Sequence, residues 1–86
     1  MWYVYVLRCR DRSLYTGIAL NIARRMKEHR SGKGSKYIRS HLPVKLVHQE
    51  KFPNKSSALK REAEIKQWPR SKKLALIAGN FRLRRK

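Results

Sequence analysis

The chain has 86 residues, of which 23 are Lys or Arg and only five Asp or Glu, giving a net charge of +18 at neutral pH. That length supports one domain with one modest core, so any active site must be shallow or built on the face of a sheet. The charge, spread along the whole chain, makes the fold itself cationic and points to a polyanion, nucleic acid before membrane. Cys9 is the only cysteine, which rules out an internal disulfide and fits a reduced, cytoplasmic setting. The N-terminal apolar run WYVYVL ends at Arg8 and is too short for a signal peptide or a membrane span.

Residues 2–8 are rich in aromatic and β-branched types and predict a strand. CRDRS reads as a turn, and SLYTGI, residues 13–18, predicts a second strand joined to the first as a hairpin. Asn21 is a good N-cap for a helix running to about Arg30, with Ile22, Met26 and His29 as its inner stripe. SGKGSK is a loop and YIRSHL a short helical turn. VKLVHQEKF, residues 44–52, predicts a third strand that Pro53 and Asn54 end. SSALKREAEIKQW predicts a helix capped by Ser56 or Ser57 and interrupted by Pro69. Ser71 can cap a last helix, KKLALIA, which stops at Gly79. The expected fold is α+β: a three-stranded, mainly antiparallel sheet flanked by helices in the order ββαβαα. Residues 1–79 form the domain and 80–86 a basic tail.

Alternate strand residues share a face. Tyr3, Tyr5 and Leu7 therefore lie on one side of the first strand, and Trp2, Val4 and Val6 on the other. On the second strand Tyr15 and Gly17 share a face. A three-residue loop, Cys9–Asp11, would set Tyr5 directly opposite Tyr15. Such a pair is ordinary strand packing unless other groups converge on it. On the first helix Arg25 and His29 are neighbours at i, i+4 bordering the apolar stripe, while Arg24 falls on the outer side. An inward guanidinium can clamp a phosphate through its planar fork, although a half-buried arginine often only covers a core. On the later helix Ala58, Leu59, Glu62, Ile65 and Trp68 mark one face with Glu62 in its middle. A carboxylate there needs a partner or a metal: a divalent cation, or one of the 23 basic residues.

Together these residues resemble a GIY-YIG nuclease domain. YVY at 3–5 stands where that family has its first motif, and YTG at 15–17 where it has YIG. Arg25 stands ten residues beyond the second tyrosine, His29 four further on, and ALKRE ends at Glu62, as in the family's ALxxE helix. The resemblance covers residues 2 to about 78 and is nearest to the small stand-alone bacterial members, whose single domain is like the N-terminal domain of the excinuclease. Tyr3 replaces the first motif's glycine, and Thr16 replaces the isoleucine of YIG. Asn80, after the last helix, is given no site role. The resemblance implies a metal-dependent endonuclease. Tyr5 and Tyr15 would be catalytic phenols, acidified by cationic neighbours; Tyr5 is the narrow favourite for the base and Tyr3 is packing. Arg25 would stabilise the transition-state charge, His29 would orient or relay a proton, and Glu62 would hold one Mg²⁺ or Mn²⁺. Lys36, Tyr37 and Arg39 would contact nucleic acid, DNA favoured over RNA and repair structures among the candidates, with a partner protein supplying specificity. Two other readings stay open: a basic nucleic-acid-binding module whose nuclease site is idle, and a ribosome-associated structural protein.

Overall fold

The computed structural model describes residues 1–33 and 35–84, with side chains described up to residue 79. Strands β1 (Trp2–Cys9), β2 (Leu14–Ala19) and β3 (Val44–Phe52) form one antiparallel sheet in the order β2-β1-β3. Around it stand α1 (Ile22–Arg30), the short α2 (Lys36–Ser40), α3 (Lys55–Lys66) and α4 (Arg70–Arg84). This is the α+β arrangement the sequence predicts, with α2 as the helical turn of YIRSHL.

The two faces of β1 divide the core. Tyr5, Leu7 and Cys9 pack with Ala19, Met26, Ile38 and Val44, on the side covered by α1 and α2. Val4 packs with Ala58 and Ile65 on the other side, under α3, joined by Trp2, Ile18, Phe52, Trp68 and Leu76. A central strand buried on both faces explains why β1 carries apolar or aromatic side chains at every position from Trp2 to Leu7. The β1 pairing with β3 shifts register between Val6 and Leu7, a local irregularity in an otherwise regular ladder.

Four local expectations are corrected. The hairpin register is two residues off: Tyr5 faces Gly17, and Tyr15 faces Leu7. A longer turn causes this, closed by Cys9 N–H to the Ser13 carbonyl at 2.9 Å, with Arg12 at a φ of 71°. A slip of two keeps each side chain on its face, so Tyr5 and Tyr15 still share one. Asn54, not Ser56 or Ser57, caps α3; its side chain accepts from Ser57 N–H at 2.9 Å. Ser71 lies inside the first turn of α4, where Lys73 N–H already reaches the Pro69 carbonyl. The helix also does not stop at Gly79 but runs to Arg84, since nothing there demands the left-handed conformation that makes glycine a terminator. Of the expected tail, 85–86 lie outside the described residues, as does the Asn80 side chain.

Candidate active site

Helix α1 delivers two of the site's groups. Asn21 caps it by accepting from Arg24 N–H at 3.0 Å, which fixes the helix phase. Met26 and His29 are then driven inward, Arg24 stays in solvent, and Arg25 sits between the two environments with its side chain 39% exposed. From β1, Tyr5 projects toward the same place. It is 1% exposed, and its hydroxyl shares a 3.0 Å hydrogen bond with His29 Nε2. Tyr15, half-buried on β2, stands beside both: its ring centroid is 6.4 Å from Tyr5 and 5.9 Å from His29.

Gly17 makes this geometry possible. It lies opposite Tyr5 in the ladder, and the Tyr5 ring crosses directly over it. A Cβ at position 17 would sit 2.7 Å from the Tyr5 hydroxyl oxygen and 3.2 Å from the Tyr15 ring. The glycine of YTG is therefore a matter of close approach, as glycine allows.

The electrostatics differ from the expectation of acidified phenols. Burial raises the Tyr5 pKa above the ordinary phenol value, and this outweighs the lowering by Arg25. The Glu62 charge also acts to raise it. Cationic neighbours are present, but desolvation wins because the hydroxyl is so deeply enclosed. Burial, then the Arg25 charge, lowers the His29 pKa, so the imidazole is neutral near pH 7. Tyr5 and Glu28 hold the Arg25 cation above its ordinary value; the charge persists at any working pH. Glu28 accepts from Arg25 Nη1 at 3.1 Å and was missed from sequence, although its i, i+3 spacing was the available signal. Arg25 Nε and His29 Nδ1 are buried with no hydrogen-bond partner among the described residues.

Glu62 sits on α3, which packs against the sheet face opposite the tyrosines, yet its charge is felt at Tyr5. Its side chain is 17% exposed and pairs with Lys66 at 3.3 Å. No group of three His, Cys, Asp or Glu able to hold a metal occurs among the described residues. A lone hard carboxylate suits Mg²⁺, which keeps several waters and takes substrate phosphate oxygens as ligands. The donor set thus fits a weakly held hard cation and not a tightly bound resident metal. Leu59, expected on the inward face with Glu62, is instead 43% exposed.

Tyr37, Lys36 and Arg39 lie on α2 and are exposed. Tyr37 is not a free stacking platform. It stacks on His41 at 4.0 Å and on Tyr15 at 5.9 Å, and its hydroxyl donates to Ser13 Oγ at 2.7 Å. Tyr3 lies apart, lining a shallow cavity with Leu20, Gln49 and Lys51.

Two tyrosines, an arginine and a histidine from β1, β2 and α1 thus converge at the spacing of the two tyrosine motifs. The sequence model of the GIY-YIG catalytic domain matches residues 1–75. The chain belongs to the GIY-YIG family. Its relatives within that family include the UPF0213 protein of Natronomonas pharaonis, 54% identical over 76 residues covering 88% of this chain and 89% of the relative. The UPF0213 protein of Staphylococcus saprophyticus is 53% identical, over 88% and 93% of the two chains. The solution NMR structure of the UPF0213 protein from Bacillus halodurans superposes with a TM-score of 0.59 at 46% identity, covering 91% of this chain and 84% of that one. A protein from E. faecalis, also solved by NMR, gives 0.63 at 41% identity over 94% and 85%. This GIY-YIG chain is therefore a small member of a nuclease family, similar over nearly its whole length to proteins of its own size.

Proposed function

We propose that this GIY-YIG chain is an endonuclease that hydrolyses phosphodiester bonds in nucleic acid, DNA in preference to RNA, with a divalent cation. The observation that carries the reading is the convergence of Tyr5, Tyr15, Arg25 and His29, with the Tyr5 hydroxyl hydrogen-bonded to a neutral, buried imidazole.

The two phenols take different roles. Tyr5 is enclosed, its pKa is raised, and its hydroxyl is already engaged by His29. It cannot meet an attacking water without rearrangement. Tyr15 beside it is only partly buried and is the more accessible of the two phenols. Tyr15 is therefore the general base, in place of Tyr5: as it takes the water's proton it gives up its own toward Tyr5, whose hydroxyl proton passes to His29 Nε2, so that Tyr5 and His29 form a supporting relay. In that relay the Tyr5 hydroxyl donates to Nε2, the direction favoured by the Arg25 cation beside the phenol oxygen. Arg25, anchored by Glu28 yet still 39% exposed, contacts the phosphoryl oxygens as negative charge builds on them. Glu62 would hold the cation, which when bound supplies Lewis-acid stabilisation of the leaving oxygen. Lys36 and Arg39, exposed on α2, contact the backbone phosphates; Tyr37 braces Tyr15 instead of stacking on a base.

The test is a substrate panel of single-stranded, duplex, flap and junction DNA and matched RNA, with Mg²⁺, Mn²⁺ or chelator. Cleavage by the parent that disappears with chelator and in Glu62→Ala supports the reading. Tight binding with no cleavage anywhere on the panel transfers the assignment to an idle, nucleic-acid-binding module.

A further inference from the structure

Away from the tyrosines, the tip of the β1–β2 hairpin and the start of α4 enclose a cleft of about 600 Å³. Its walls are Arg8, Arg10, Arg12 and Arg70, with Cys9 and Leu74 between them. We propose that this cleft is a second phosphate-binding site, which grips the nucleic-acid backbone at a distance from the scissile bond. It deepens the nuclease reading and rests on it.

Three observations carry the assignment. First, the guanidiniums have no carboxylate partner among the described residues. All five carboxylates fall within the described residues, and each is engaged elsewhere: Glu28 with Arg24 and Arg25, Glu50 and Glu64 with Arg61, Glu62 with Lys66, and Asp11 with Ser13 and His41. Asp11 shares the turn with Arg10 and Arg12, yet Ser13 takes its carboxylate through both N–H and Oγ. Four arginines without a carboxylate partner among the described residues line one cleft, and the positive potential they create there favours an anion. Second, the turn is preorganised. Arg12 N–H bonds the Cys9 carbonyl at 2.9 Å, Cys9 N–H the Ser13 carbonyl at 2.9 Å, and Arg10 N–H the His41 carbonyl at 3.1 Å. Arg12 occupies the left-handed region at φ 71°, where glycine or asparagine is the ordinary choice. The hydrogen bonds that close the turn hold Arg12 in this conformation and keep its side chain at the turn tip. Third, α4 opens onto the cleft with no acidic residue in its first turn, so its positive end adds to the field.

Guanidinium forks match phosphate oxygens two at a time. Along β1 Cys9 lies roughly 13 Å from Tyr5, at about 3.3 Å per residue, and Arg10 follows it in the turn. A backbone seated in the cleft therefore passes the tyrosines several nucleotides away.

The experiment measures binding of a 20-base-pair DNA duplex by fluorescence anisotropy, in chelator so that nothing is cut, across a salt series. The test variant combines Arg10→Gln, Arg12→Gly and Arg70→Gln; glycine suits the left-handed position, and thermal unfolding checks the fold. A matched control, Lys33→Gln with Lys51→Gln and Lys60→Gln, removes the same charge from exposed sites outside the cleft. Each lost phosphate contact should lower the log–log salt slope by about 0.9. The cleft variant should lose roughly two to three in slope and bind at least about tenfold more weakly than the control. Equal behaviour of the two variants overturns the proposal. So does failure of the parent to bind duplex, or cleft-dependent binding to phosphatidylserine vesicles in its place. Cleavage by the parent in Mg²⁺, scored separately, shows whether the nuclease reading stands or falls with it.

Discussion

Adding one methyl group at Gly17 should damage both the fold and the site. In Gly17→Ala the new Cβ would lie 2.7 Å from the Tyr5 hydroxyl oxygen and 2.8 Å from its Cζ, distances that real Cβ contacts do not show. Tyr5 is 1% exposed and cannot swing into solvent, so the ring or the β2 backbone must move. Overpacking of this kind costs about 1–3 kcal/mol. Shifting the hydroxyl also strains or breaks the 3.0 Å bond to His29, worth about 0.5–1.5 kcal/mol net. The sum, about 1.5–4.5 kcal/mol, is a large part of the roughly 4–13 kcal/mol expected for a chain of this length. With an m-value of about 1.5 kcal/mol/M, the urea midpoint should fall by roughly 1–3 M. Urea titration followed by tryptophan fluorescence measures it. Tyr5→Leu in the same background removes the far half of the ring, so the double variant should be less destabilised than the sum of the two single variants. A neutral Gly17→Ala, or strict additivity, would show that Tyr5 does not lie over Gly17 and would undo the site's geometry.

Acid should weaken the fold in two separable steps. His29 has a folded pKa below its unfolded value near 6.5, so its contribution is complete above pH 6.5 and is lost as pH falls from there through the folded value. Glu50, held at about 2 by His48 and Arg61, contributes fully above its ordinary 4.5 and loses that contribution between pH 4.5 and 2. Urea midpoints across pH 7 to 2 should show both steps, with His29→Gln removing the upper and Glu50→Gln the lower; an upper step that persists in His29→Gln would refute its assignment. Separately, Lys66→Met frees Glu62 from its half-exposed partner, a pair worth about 0.2–1 kcal/mol. The Mg²⁺ concentration for half-maximal cleavage should therefore fall by up to about fivefold, and an unchanged or raised requirement would argue against Glu62 as the ligand.

Much of this site could be read from the chain because it depends on parity and helix phase. Tyr5 and Tyr15 share a face whatever the exact turn, since a two-residue slip moves no side chain to the other side. Asn21 announces α1, and the 3.6-residue period then places Met26 and His29 inward and Arg24 outward. The register was not legible, because it depends on Arg12 adopting a left-handed conformation for which arginine carries no signal. The raised Tyr5 pKa was not legible either. Charge can be counted in a sequence, but the depth of burial that outweighs it emerges only when α1 closes over β1. The same holds for Tyr37, whose exposed sequence context hides its packing between Tyr15 and His41.

The central claim is that the less buried phenol, Tyr15, takes the proton of the attacking water while Tyr5 and His29 support it. Tyr15→Phe keeps the ring and its contacts with Tyr37 and removes only the hydroxyl. The decisive measurement is the single-turnover cleavage rate of this variant in Mg²⁺, on whichever panel substrate the parent cuts, with duplex affinity and urea midpoint measured alongside. The account predicts unchanged affinity, a near-parental midpoint and a rate loss on the order of 10²-fold or more, the scale of general base catalysis. A Tyr15→Phe protein that cleaves at the parental rate would contradict it.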